Sequence, residues 1–139
     1  MEPSSPYHFA ISLRIWHPGI APEEISIAIG RLPNHFWKAG TPRRSPPGGE
    51  LPGLYAESYW SARIGTQHGT ELGAALLEVL QDLVRHRAFL HRIRAEGGKI
   101  ELFIGWFFER QSGGVLPYAC LALAGDLQID LSFDVYPSA

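Results

Sequence analysis

The chain has 139 residues, 45% of them apolar and 12% aromatic, enough to bury one hydrophobic core without disulfides or a structural metal. Twelve Lys and Arg against fourteen Asp and Glu leave a net charge of −2, which provides no global field for holding nucleic acid or an anionic membrane. Intrinsic disorder is excluded, a second domain is not expected within residues 1–139, and the excess of Gly (15) and Pro (11) directs attention to turns and loops.

Residues 1–7 read as a flexible N-terminus. Phe9, Ile11, Leu13 and Ile15 alternate with Ala10, Ser12 and Arg14, the period of a half-buried strand. His17-Pro18-Gly19 turns the chain, and Pro22-Glu23-Glu24 opens a helix, since proline fits the first helical turn and carboxylates complement its dipole. Ile25, Ile29 and Leu32 would form its apolar stripe, with Pro33 as the stop. Residues 39–53 hold much of the Gly and Pro and almost nothing to bury, and read as a long irregular loop, functional or mobile.

From Tyr55 to Ile64 a second strand is predicted, with Tyr59 and Trp60 on opposite faces and both faces partly covered. Leu72, Leu76, Val79, Leu83, Leu90 and Ile93 recur at helical spacing, predicting one long amphipathic helix over 70–95 that Gly97-Gly98 ends. Its acids come early and its arginines late, as the helix dipole favours, so its charges need no ligand. Lys99 to Glu109 is apolar on both faces, the pattern of a central strand or of one covered by another subunit. A short helix over 117–127 and a strand with one wet face, Leu127 to Val135, close the chain. The order implies an α+β fold: a single mixed or antiparallel sheet of about five strands against one long and two short helices, with a ferredoxin-like core. Strand-helix-strand occurs around 8–40 and again around 99–136, the outline of an internal duplication.

Chemistry-bearing motifs are sparse. The six histidines lack metal-ligand spacing, for His86 and His91 stand about 140° apart around a helix, and His17 and His35 merely flank the first helix. No metal and no cofactor are expected. Cys120 lies in an Ala and Leu segment where burial would suppress its thiolate; as the one cysteine it fits a reducing compartment, and cytoplasm is the expected location. The N-terminus does not read as a secretory signal, and no stretch reads as a membrane span.

Two surface features remain. Lys38, Arg43 and Arg44, with Trp37 and Trp60 nearby, would bind an anion or small ligand between the 38–60 loop and the sheet, by charge-assisted hydrogen bonds and stacking. Asp130 and Asp134 fall on one face of the last strand and would make an acidic stripe for a basic protein partner. The leading expectation is a non-enzymatic protein-binding domain, using its aromatic strand faces or the acidic stripe on another protein or on a second copy of itself. The alternative is a small-ligand or anion-binding protein or enzyme at the 38–60 loop.

In order and spacing, residues 8–136 resemble the bacterial family known as domain of unknown function 4279. The resemblance is carried by Leu13-Arg14-Ile15-Trp16-His17-Pro18, Pro22-Glu23-Glu24-Ile25, Leu32-Pro33, Lys38-Ala39-Gly40, Tyr59-Trp60, Gly97-Gly98 and Asp134-Val135-Tyr136. It implies a compact bacterial α+β domain and brings no catalytic residues with it. An immunity-type role against a toxin is an analogy with other small bacterial domains of this size.

Overall fold

The computed structural model describes residues 7–45, 47–68, 71–108 and 114–137. Of the expected flexible N-terminus, residues 1–6 lie outside them, and Tyr7 already belongs to the first strand, β1 (Tyr7–His17). There follow α1 (Pro22–Ile29), β2 (His35–Trp37), β3 (Pro42–Arg44), β4 (Glu50–Leu54) and β5 (Ser58–His68). Next come α2 (Leu72–Leu83), a 3-10 turn (Val84–His86) and α3 (Arg87–Ala95), together the predicted long helix. The chain closes with β6 (Lys99–Phe108), α4 (Tyr118–Asp126) and β7 (Asp130–Pro137).

Five strands form one mixed sheet in the order β2-β5-β1-β6-β7, while β3 and β4 form a separate two-stranded hairpin. Every pairing in the large sheet is antiparallel except β6 with β7. The fold is therefore α+β, as the pattern predicts, and β2-β5-β1-β6 have the order and antiparallel pairing of a ferredoxin-like split β-α-β arrangement, to which α4 and β7 add a helix and a parallel edge strand. The β1-α1-β2 unit is split, because β5 is inserted between its parallel strands, whereas β6-α4-β7 joins immediate neighbours. The two strand-helix-strand segments thus have different topologies, and the outline of a duplication does not carry through to the fold.

Helices pack against one face of the sheet. Phe9, Ile11, Leu13 and Ile15 of β1, Trp60 and Ala62 of β5, and Ile100, Leu102 and Ile104 of β6 meet Ile25, Leu76, Leu80, Leu90, Ile93 and Cys120 from the helices in one core. The fully buried aliphatic side chains contribute about 1.5–3 kcal/mol each, which is what holds the layers together. Alternation leaves the opposite face of the sheet without helices, and there Glu101 is buried between the cations of Arg14 (3.3 Å) and Lys99 (3.7 Å).

Two expectations are corrected. Leu32 does not continue the stripe of α1, because Gly30 takes a left-handed conformation (φ 78°) and donates to the Ser26 carbonyl at 2.8 Å, ending the helix early. Leu32 is left exposed. Nor is 39–53 an irregular loop: Pro42 and Arg44 pair with Leu54 and Glu50 across the hairpin. Gly48 and Gly53 adopt positive φ there, so the glycines that suggest disorder are the ones that let the chain reverse and twist.

Candidate functional site

Register across β2, β5 and β1 sets Trp37 opposite Tyr59 and Tyr59 opposite Trp16 on the helix-free face. Their rings form a row: Trp16 to Tyr59 at 5.2 Å between centroids, Tyr59 to Trp37 at 4.6 Å, and Trp37 stacked on Tyr55 at 4.5 Å and 8°. Each such contact is worth about 0.5–1.5 kcal/mol beyond its buried area. The Trp37 indole N–H donates to the Glu57 carbonyl at 3.1 Å, fixing the ring plane.

Tyr55 then ties the hairpin to this row. Its hydroxyl accepts from the Arg44 backbone N–H at 3.1 Å, its backbone N–H donates to Thr41 at 3.0 Å, and its carbonyl accepts from Gly40 at 2.9 Å. The Ser58 hydroxyl accepts from the Ala39 N–H at 3.0 Å, closing the base. All residues of β3 and β4 are exposed, so the hairpin is held at its base and contributes nothing to the core.

Between β2 and the hairpin lies a cleft of about 780 Å³, walled by Phe36, Trp37, Leu51 and Tyr55, with Arg43, Arg44, His35 and Glu57 at its margins. A neighbouring hollow of about 390 Å³ is lined by Lys38, Thr41, Arg44 and Glu23. Of the residues predicted to bind a ligand, Trp37, Arg43 and Arg44 meet in the cleft, and Lys38 sits beside it. Trp60 does not reach it. It is 0% exposed, on the helix side of β5, with its indole N–H donating to the Ser26 hydroxyl at 3.0 Å. The face alternation that divides it from Tyr59 decides this, and Tyr59 is the ring that the register places beside Trp37.

The acidic pair stands elsewhere. Asp130 and Asp134 lie on β7, at the opposite edge of the sheet from β2. Asp130 pairs with Arg94 at 3.1 Å, and Asp134 accepts a hydrogen bond from the Tyr136 hydroxyl, which holds the Tyr136 phenol above its usual pKa. The acidic stripe is therefore partly neutralised within the molecule.

The positive charges divide along the chain. Among the described residues Arg14, Arg85, Arg87, Arg92, Arg94 and Lys99 each pair with a carboxylate. Arg31, Lys38, Arg43, Arg44 and Arg63 have no described carboxylate within 4.0 Å. Arg43 donates to the Pro52 carbonyl at 3.4 Å. Of these unmatched cations, Arg43 and Arg44 line the cleft and Lys38 the hollow beside it, whereas Arg63 lines a separate hollow with Asn34 and His35, and Arg31 one beside Glu78 and Asp82 of α2.

The remaining reactive groups are placed by structure. Cys120 is buried, its thiol donating to the Gly73 carbonyl at 3.4 Å, and burial pushes its pKa up, away from nucleophilic use. His17 accepts the Gly19 and Ile20 N–H groups on Nδ1, which leaves Nε2 to donate to Glu96 at 2.8 Å. His86 is half-buried, and burial, helped by Arg85, lowers its pKa. Among the described residues no group of three or more His, Cys, Asp or Glu could hold a metal ion, and no helix is long and apolar enough to cross a membrane.

No curated protein and no solved structure matches this chain. A family model does: the one described as a domain of unknown function, DUF4279, matches residues 5–138, nearly the whole length, and the chain belongs to that family.

Proposed function

We propose that this chain is a protein-binding domain whose binding surface is the cleft between β2 and the β3–β4 hairpin. The observation that carries this reading is a hairpin that adds nothing to the core yet is hung on a row of four aromatic rings, facing arginines with no internal carboxylate. Ordered, exposed apolar side chains at its walls, Phe36 at 57% and Leu51 at 39%, supply the surface that a partner would cover. An immunity-type role, with a toxin as the partner, is one instance of this reading. The single buried thiol of Cys120 supports a cytoplasmic setting.

Capture from the native host tests it, comparing the tagged protein with a Phe36→Ser/Leu51→Ser variant. Both positions are exposed, so the fold is retained. The expected result is a stoichiometric protein partner held by the parent and lost by the variant. A partner held equally by both would refute the cleft as the binding surface. The second reading, a small anionic ligand, is favoured by the cleft volume, which falls in the range of ligand pockets. Native mass spectrometry showing a bound small molecule and no protein would establish that reading instead.

A further inference from the structure

We propose that the cleft takes an extended acidic segment of the partner, laid beside β2 as an added strand, with carboxylates on Arg43 and Arg44 and an apolar side chain against the Trp37–Tyr55 stack. This rests on the binding reading above and names the chemistry of its occupant.

The backbone comes first. β2 is an edge strand of three residues whose one neighbour in the sheet is β5, so one side of its backbone faces away from any strand. That open side offers N–H and C=O groups to an incoming strand. The hairpin stands across the cleft as the second wall, and β4 with its five residues spans about 17 Å, the length of a strand of similar size. A single extended segment laid beside β2 would use both the open strand edge and this space of about 780 Å³.

Charge selects the sign of the occupant. Each described arginine of the long helix has an internal carboxylate, whereas Arg43 and Arg44 have none. Lys38, lining the hollow beside the cleft, adds to the same unmatched charge. Planar guanidiniums that reach into a cleft favour carboxylates, which they bind by paired, charge-assisted hydrogen bonds. Glu57 lines the same cleft and would repel an acidic side chain placed beside it. The segment is therefore expected to carry its acids beside Arg43 and Arg44 and its apolar group over the stacked rings. An aromatic side chain suits that position best, because it would extend the existing stack.

The full chain can be tested with a random copolymer of glutamate and tyrosine as the acidic, aromatic probe. Its controls are a lysine–tyrosine copolymer and free glutamate, with binding read by interferometry at low and raised salt. The copolymer of glutamate and tyrosine is expected to bind, to weaken with salt, and to lose about tenfold or more in affinity to an Arg43→Gln/Arg44→Gln variant whose melting temperature is unchanged. Equal binding by that variant, or equal binding of the lysine–tyrosine copolymer, would overturn the proposal. So would free glutamate binding as tightly as the copolymer, which would mark a small-anion site. Self-association of the chain alone that vanishes in the double arginine variant would show a second copy as occupant, and would also overturn it. None of these outcomes decides the wider reading, which stands or falls on whether the host partner is lost by Phe36→Ser/Leu51→Ser.

Discussion

Tyr59 and Trp60 are neighbours in the chain and belong to different parts of the protein. Trp60 packs against the helices and spends its indole N–H on Ser26, while Tyr59 carries the aromatic row toward the hairpin. Replacing Trp60 by Phe removes that hydrogen bond and leaves space in a filled core, so Trp60→Phe is expected to lower stability by about 2–3 kcal/mol in urea unfolding. A change within experimental error would mean that the indole is not buried as described. The opposition of these two rings was legible in the sequence, because alternation needs only one strand. Which ring meets Trp37 was not, since it depends on the register between β2 and β5, a pairing of residues more than twenty positions apart. Arg43 and Arg44 were legible as a candidate site from composition alone. Their lack of internal carboxylates was visible only once the arginines of the long helix had found Asp82, Asp126, Glu24 and Asp130.

Helices and turns follow their end signals more closely than their apolar stripes. Gly97 (φ 91°) ends α3, with the Gly98 N–H on the Ile93 carbonyl at 2.8 Å, as the paired glycines indicate. The same closure follows α4, where the Ile129 N–H reaches the Ala124 carbonyl at 2.9 Å, but the left-handed position is held by Gln128 at φ 60°. A side chain there is strained, so Gln128→Gly is expected to stabilise the protein by about 0.5–1 kcal/mol, read from the urea midpoint. A loss of stability would show that the glutamine side chain, exposed as it is, has a compensating role. The hairpin of residues 42–54 escaped the sequence because its strands are exposed on every residue, which removes the alternation that identifies a half-buried strand. Its sequence signals are glycines and prolines, and these mark a tight turn and a disordered loop equally well.

An ion-pair cluster joins separate elements at one end of the whole molecule. Arg92 of α3 bridges Glu24 of α1 at 2.8 Å and Glu96 at 3.1 Å, and Glu96 also accepts from His17 at the end of β1. The hydrogen bond from His17, then that from Arg92, holds the Glu96 carboxyl below its usual pKa. A depressed carboxylate adds stability above its unfolded pKa and loses it as pH falls through the folded value. The melting temperature should therefore fall on acidification through and below the ordinary carboxylate range, and fall less steeply in Glu96→Gln. Parallel curves for the two proteins would contradict this role.

At the same scale, the sheet presents two unlike edges, an acidic β7 whose charges are largely used internally and a β2 beside the unmatched Arg43 and Arg44 of the cleft. The order of the long elements was legible because each buries a periodic stripe. The edges were not, because an edge is defined by which strands fail to find neighbours. The central claim is that the β2–hairpin cleft is the binding surface. Backbone amide chemical-shift mapping of the full chain, titrated with the glutamate–tyrosine copolymer, tests it most directly. Shifts are predicted at His35–Trp37, Arg43–Ser45, Leu51 and Tyr55; shifts confined to β7 or to the helices would contradict it.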